Sequence, residues 1–309
     1  MSDRRPLGVF DSGVGGLTVL REILRRSPGE SIVYLGDNAR APYGTRTDDE
    51  VRRFSMQALD ALVARDVKAI VVACNTSTAV ALGDLRRRYD LPILGVVRPG
   101  AVSAALASRN RRVGVIATPA TIRSHAYFSA IKDENPAVEV YEHATPAFVP
   151  MVEAGSLDGP DVESTVRASL APLLGERDAD GESIFPLPAG ARIDTLLLGC
   201  THYPLLRPVI ARVAGERVAI VDSATATAGA LAELLAINAL EAPGSTRGTA
   251  ADAGAGGHEP PGERSVPAVH RVLTTGDVAA FEVVARRLFG EDLPPAEPIE
   301  LGEPLGAAR

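Results

Sequence analysis

Apolar residues along this chain fall into short continuous runs separated by stretches with helical spacing. Leu7–Phe10 is the first run. A Gly-rich turn follows, then Leu17, Leu20, Ile23 and Leu24 at positions that share one helix face. Ser31–Leu35, Ala69–Ala73 and Pro92–Val97 are further runs, and continuous apolar strands are what a parallel sheet covered on both faces requires. Thr47, Asp48, Asp49 and Glu50 read as a capping box opening a helix with Val51, Phe54, Ala58 and Leu62 on its inner face. The pattern restarts at Arg112–Ala117 and continues through Val138–Tyr141 and Thr195–Leu198. Val218–Val221, an Ala/Leu-rich helix from Ala224 to Leu240, and Val272–Leu273 complete it. Repeated strand–helix units predict an α/β fold with mostly parallel sheets.

Two segments interrupt this regularity. Gly175–Ala191 is rich in Gly, Pro and charge and reads as a loop insertion. Glu241–Pro267 is a Gly/Ala/Pro/Glu tract too poor in apolar residues to bury a core, and it reads as a disordered linker. From Leu293 on the chain is Pro-rich, and a loose tail is expected there.

Composition narrows the function classes. The 309 residues are 46% hydrophobic, enough for about two domains. A net charge of −7 without a long basic cluster argues against a nucleic-acid surface. No apolar run approaches the ~18 residues of a membrane span. The N-terminus has arginines without the apolar stretch of a signal peptide, so a cytoplasmic protein with reduced thiols is expected. Lysine occurs only at 68 and 132, a poor supply for a pyridoxal phosphate Schiff base.

Ligands of open parallel sheets bind at the carboxyl ends of the strands. After the first run stand Asp11, Ser12 and the turn Gly13–Gly16. After the second come Asp37, Asn38, Tyr43 and Gly44, and after the third Cys74, Asn75 and Thr76. In the restarted half the ends carry Thr118 and Thr121, then Cys200, Thr201 and His202. The Gly13–Gly16 turn lacks the third glycine of a dinucleotide fingerprint. Its amides could hold an anion, or it could be a plain tight turn.

Cys74 and Cys200 are the only cysteines, and each closes an apolar run in matching strings, KAIVVACNTST and IDTLLLGCTHYP. A buried free cysteine is usually a small hydrophobe. The matched contexts favour a chemical role instead. A reducing compartment disfavours a disulfide, and Cys74, Cys200 and His202 do not make a familiar zinc set. A thiolate at a helix N-terminus has a lowered pKa and can act as a base. His202 could tune Cys200 or lie at the surface, and Asp11 could tune Cys74 or cap a helix.

DSGVGG, GDNARAPYG, ACNTST, GVIATPATI, GCTHYP and VDSA occur in the order seen in bacterial glutamate racemases, so the chain resembles the cofactor-independent aspartate/glutamate racemase superfamily over nearly its whole length. The resemblance implies two facing, pseudo-symmetric α/β domains with the active site in the cleft between them. Residues 1–97 plus 216–309 would carry Asp11 and Cys74, and residues 98–215 would be inserted and carry Cys200 and His202. It implies a homodimer that uses no cofactor and no metal. The reaction would be two-base racemisation of glutamate, supplying D-glutamate for peptidoglycan. Cys74 would serve the D-enantiomer and Cys200 the L-enantiomer, with Asp11, His202 and Glu153 assisting. Asp11, Ser12, Tyr43, Gly44, Asn75, Thr76, Thr118, Thr121, Thr201 and His202 match substrate-contacting positions. The rivals are a racemase of another acid such as aspartate, a Cys200/His202 hydrolase that leaves Cys74 without a task, and an amino-acid-binding module without turnover.

Overall fold

The structure is a computed structural model, and it describes residues 2–175, 192–243, 268, 270–289 and 293–303. Most of the Gly175–Ala191 insertion and of the Glu241–Pro267 tract lies outside the described residues. Ten strands occur among those described: β1 (Leu7–Asp11), β2 (Ile32–Gly36), β3 (Ala69–Val72), β4 (Ile93–Gly95), β5 (Arg112–Ala117), β6 (Glu139–Ala144), β7 (Thr195–Gly199), β8 (Ala219–Asp222), β9 (His270–Thr274) and β10 (Ala296–Pro298). The helices are α1 (Leu17–Arg26), α2 (Asp48–Val63), α3 (Asn75–Arg88), α4 (Val97–Ala107), α5 (Pro119–Arg123), α6 (Ala126–Glu134), α7 (Phe148–Glu153), α8 (Pro160–Leu174), α9 (Arg207–Ala214), α10 (Ser223–Ile237) and α11 (Val278–Phe289).

The strands form two sheets in which every pairing is parallel. One has the order β10-β9-β2-β1-β3-β4, the other β6-β5-β7-β8. In the larger sheet the two-residue period of a strand splits the apolar runs between two cores. Leu7, Val9, Ile32, Tyr34, Ala69 and Val71 pack with α1 and α10 through Leu17, Ile23, Leu231 and Leu235. Phe10, Val33, Leu35, Ile70 and Val72 face the other way, onto Phe54, Ala58, Leu62 and Leu85 of α2 and α3. Each such side chain, fully buried, stabilises the fold by roughly 1.5–3 kcal/mol. The capping box of α2 forms as the sequence predicts. Glu50 N–H donates to Thr47 Oγ1 at 3.3 Å, and Thr47 N–H donates to Glu50 Oε2 at 3.0 Å.

The structure differs from the sequence reading in two places. The region after Leu293 is not a loose tail throughout. β10 pairs with β9, Ile299 N–H donates to Thr274 O at 2.9 Å, and Arg271 pairs with Glu297 at 2.5 Å. The pairing depends on β9, which lies more than twenty positions earlier, and the short Ala-Glu-Pro segment shows no strand pattern of its own. The change-over expected near residue 216 also comes later. β8 pairs with β7, so the chain leaves the smaller sheet only at Asp222–Ser223. α10 then packs against both α1 and α4, spanning the two sheets.

Candidate active site

The carboxyl ends of the two sheets meet, because side chains from one reach strand ends of the other. Thr201, just past β7, donates its hydroxyl to Asp11 Oδ1 at the end of β1 over 3.3 Å. Thr18 Oγ1 of α1 donates to Thr201 O at 3.1 Å. Tyr127 of α6 donates to Asn75 Oδ1 of α3 at 2.5 Å. Thr76 Oγ1 lies 3.0 Å from Thr118 Oγ1 and 3.2 Å from Thr121 Oγ1, which are themselves 3.0 Å apart. Three hydroxyls from two sheets thus form a closed triangle.

Asp11 is fully buried. Its carboxylate accepts from Gly13 N at 3.0 Å and from the Gly16 amide, so the amides of the Gly-rich turn already hold an anion, and that anion is Asp11 itself. The glycines are required by close approach. A Cβ at Gly16 would lie 2.3 Å from Asp11 Cβ, and one at Gly15 would lie 2.5 Å from both His202 Nδ1 and Thr201 Oγ1. Burial raises the Asp11 pKa, opposed by the His202 charge and by the bonds from Gly16, Gly13 and Thr201.

Cys74 ends the apolar run of β3 and caps α3, with Ser77 N–H donating to its sulfur at 3.4 Å. Its Sγ–H donates to Ser12 Oγ at 3.4 Å. Burial, and after it the Asp11 charge, push the Cys74 thiol up to about 11 against the opposing donors Ser12 and Ser77. The helix N-terminus does not lower it as the sequence suggested, because loss of water around the sulfur outweighs those donors. Asp11 influences this thiol through its charge; its own hydrogen bonds run to Gly13, Gly16 and Thr201.

Cys200 follows β7, and its Sγ lies 3.8 Å from His202 Nδ1. His202 is buried rather than at the surface, and its Nε2 lies 3.4 Å from Glu153 Oε1 at the end of α7. That approach is within ion-pair range but lacks hydrogen-bond alignment. Burial disfavours the imidazolium, but Cys200, Glu153 and Asp11 outweigh it and raise His202 to about 10. His202 therefore carries a positive charge at neutral pH, beside the Cys200 sulfur. Neither cysteine is in a disulfide.

Of the proposed site residues, Ser12 contacts Cys74, Asp11 contacts Thr201, Cys200 contacts His202 and His202 contacts Glu153, while Thr76 contacts Thr118 and Thr121, and Asn75 contacts Tyr127. Gly44 lies against Thr118. Tyr43 is different: it is buried, and its hydroxyl donates to Asp37, so this side chain supports the loop. Sequence reasoning missed Thr18 and Tyr127, and it placed Gly15 and Ser77 at strand ends without giving them a role. Ser77, three residues after a helix-capping Cys74, was within reach of a capping rule. Thr18 and Tyr127 gave no signal, because their partners lie 183 and 52 residues away. Among the described residues no cluster of three or more His, Cys, Asp or Glu could hold a metal, and no helix is long and apolar enough to cross a membrane.

Residues 8–181 match the family model described as Asp/Glu/Hydantoin racemase. The chain is 42% identical to a glutamate racemase of Shouchella clausii, over 97% of this chain and 96% of that one. A glutamate racemase isoform from Bacillus anthracis superposes with a TM-score of 0.82 at 36% identity, covering 97% of this chain and 98% of that chain. The glutamate racemase of Francisella tularensis in complex with D-glutamate superposes with a TM-score of 0.77 at 31% identity, covering 96% and 98%. This chain belongs to the Asp/Glu/hydantoin racemase family, among its glutamate racemases.

Proposed function

We propose that the protein interconverts L- and D-glutamate by a two-base mechanism at Cys74 and Cys200, without a cofactor. One observation carries the reading. The two cysteines stand at strand ends of different sheets, and the Thr201 hydroxyl, next to Cys200, donates to Asp11, next to the Ser12 that contacts Cys74. Racemisation needs a base on one face of the α-carbon and an acid on the other, and two like groups from opposing sheets supply both.

In the L-to-D direction, Cys200 as thiolate removes the α-proton. The electron pair of the C–H bond passes into the α-carboxylate, giving a planar dianion. The Cys74 thiol then delivers its proton to the opposite face. Cys200 ends as a thiol and Cys74 as a thiolate, and the two exchange states with solvent before the next turnover. The site suits this start, since burial keeps Cys74 protonated and a charged His202 faces Cys200. Asp11 and Glu153 hold the His202 charge. The hydroxyls of Ser12, Thr76, Thr118, Thr121 and Thr201 and the Asn75 amide are donors for the two substrate carboxylates. Oriented donors in a dry site stabilise a dianion far better than water does.

The reading extends to a homodimer in the cytoplasm, where both thiols stay reduced, and to a supply of D-glutamate for peptidoglycan. The two domains would be divided near Val97 and after β8. The test is incubation with each glutamate enantiomer in D2O under reducing conditions. Loss of optical rotation with α-deuterium uptake is expected from both enantiomers, and absence of both overturns the reading. Aspartate in parallel incubations distinguishes the substrate. Growth of a D-glutamate auxotroph on the expressed gene tests the cellular role, and sedimentation tests the dimer.

A further inference from the structure

Asn75 adjoins Cys74 at the first turn of α3 and is buried. Its Oδ1 accepts from Tyr127, while its Nδ2, also buried, has no hydrogen-bond partner among the described residues. An unpaired buried amide N–H₂ is costly, by roughly 1–3 kcal/mol. A group left in that state beside a reactive thiol is poised for a partner that arrives later. A carboxylate is such a partner, because it accepts and never donates.

Which end of the amide faces the phenol decides whether Asn75 can serve. The 2.5 Å separation belongs to an O–H···O bond, shorter than an N–H···O bond normally becomes. The phenol therefore donates and the amide oxygen accepts. The Ser223 side chain and the Tyr127 ring both border Gly100. Tyr127 is fully buried, and its ring edges lie against Gly100 and Gly199, so the phenol has little freedom to swing away.

We infer that Tyr127 is a positioning residue for racemisation: its hydroxyl fixes the Asn75 amide with the nitrogen toward the cleft, reserved for a substrate carboxylate. The bond joins α6 on the smaller-sheet side to α3 on the larger-sheet side, so the donor is oriented only when the two halves are together. Assembly of the two halves and substrate recognition are coupled through these two side chains.

The inference rests on the glutamate racemase reading, and wild-type turnover of glutamate tests that reading separately. Given wild-type activity, Tyr127→Phe keeps the ring and removes only the hydroxyl. Its KM for both enantiomers is expected to rise about tenfold, as for loss of one hydrogen bond to a charged group, while kcat changes little. Asn75→Ala is expected to raise KM at least as much. In the Asn75→Ala background, Tyr127→Phe should add nothing, because Tyr127 acts only through Asn75. A structural role would instead give additive losses and a lowered unfolding temperature. Unchanged KM in Tyr127→Phe, or full additivity in the double variant, overturns the inference. If Tyr127→Phe does not fold, Asn75→Asp takes its place: it keeps an oxygen to accept from the phenol and removes the Nδ2 donor, so KM is expected to rise about tenfold or more, and an unchanged KM overturns the inference.

Discussion

The hydroxyl of Thr201 donates to Asp11 Oδ1 across 3.3 Å, joining the residue after one cysteine to the carboxylate that raises the other. The two thiols are therefore not independent groups in two pockets. A charge on Asp11 acts on both Cys74 and His202.

Cys74→Ser and Cys200→Ser are each expected to lower kcat by about 10³-fold or more, at the upper end of what one general acid or base contributes. Solvent exchange should separate them. In D2O, Cys200→Ser retains α-deuterium uptake only from D-glutamate and Cys74→Ser only from L-glutamate, followed by NMR. Uptake from the same enantiomer in both variants would contradict the assignment.

The pH dependence of stability follows from His202. Its folded pKa of about 10 lies above its ordinary 6.5, so protonation favours the folded state. This contribution is fully present below pH 6.5 and is lost as the pH rises through about 10. Denaturant unfolding across that window should show a decline for wild type that His202→Gln flattens. Equal slopes for the two proteins would refute the charged imidazolium.

Cys74 should titrate late. A folded pKa of about 11 against an ordinary 9.0 keeps it a thiol throughout the physiological range. The difference in thiolate ultraviolet absorbance between wild type and Cys74→Ser is expected to appear only as the pH approaches 11. Appearance near neutrality would mean that the site holds this sulfur as a base.

Gly15→Ala tests the fit of the Gly-rich turn against the second cysteine's helper. The added methyl would sit 2.5 Å from His202 Nδ1, so the ring must leave its place beside Cys200. A misplacement of about 1 Å can cost about 10²-fold in rate. We expect a loss of that order in kcat, measured by polarimetry. Activity within threefold of wild type would show that the turn gives way instead.

Lys68 carries a structural role only. Its side chain is buried, paired with Glu30 at 2.5 Å and bonded to Asp3 O at 2.8 Å, at the end of β3 away from Cys74. Lys68→Ala strands a buried carboxylate and should cost about 3–5 kcal/mol of stability. Lys68→Met with Glu30→Leu should recover most of this. Both variants should keep wild-type kcat at a temperature where they are folded. A kcat loss in the folded double variant would refute the separation of this pair from the site.

Much of this protein was legible in the order of its residues. Strands covered on both faces need continuous apolar runs, so those runs placed β1, β2, β3, β5 and β7, and Thr47 with Glu50 marked the start of α2. Such features depend on neighbours within a few positions, which a linear chain displays. The same holds for the two matching strings around Cys74 and Cys200, and for the resemblance they carry. The sheet that β8 joins, the pairing of β10 and the reach of Tyr127 to Asn75 were decided by tertiary structure, since each depends on residues brought together from distant parts of the chain. Protonation belongs to the same class. Cys74 opens a helix, which by itself favours a thiolate, but it is held as a thiol by burial and by Asp11, sixty-three positions earlier. The chain fixed which groups were available; only folding, by removing water and bringing charges together, decided the state in which each one waits.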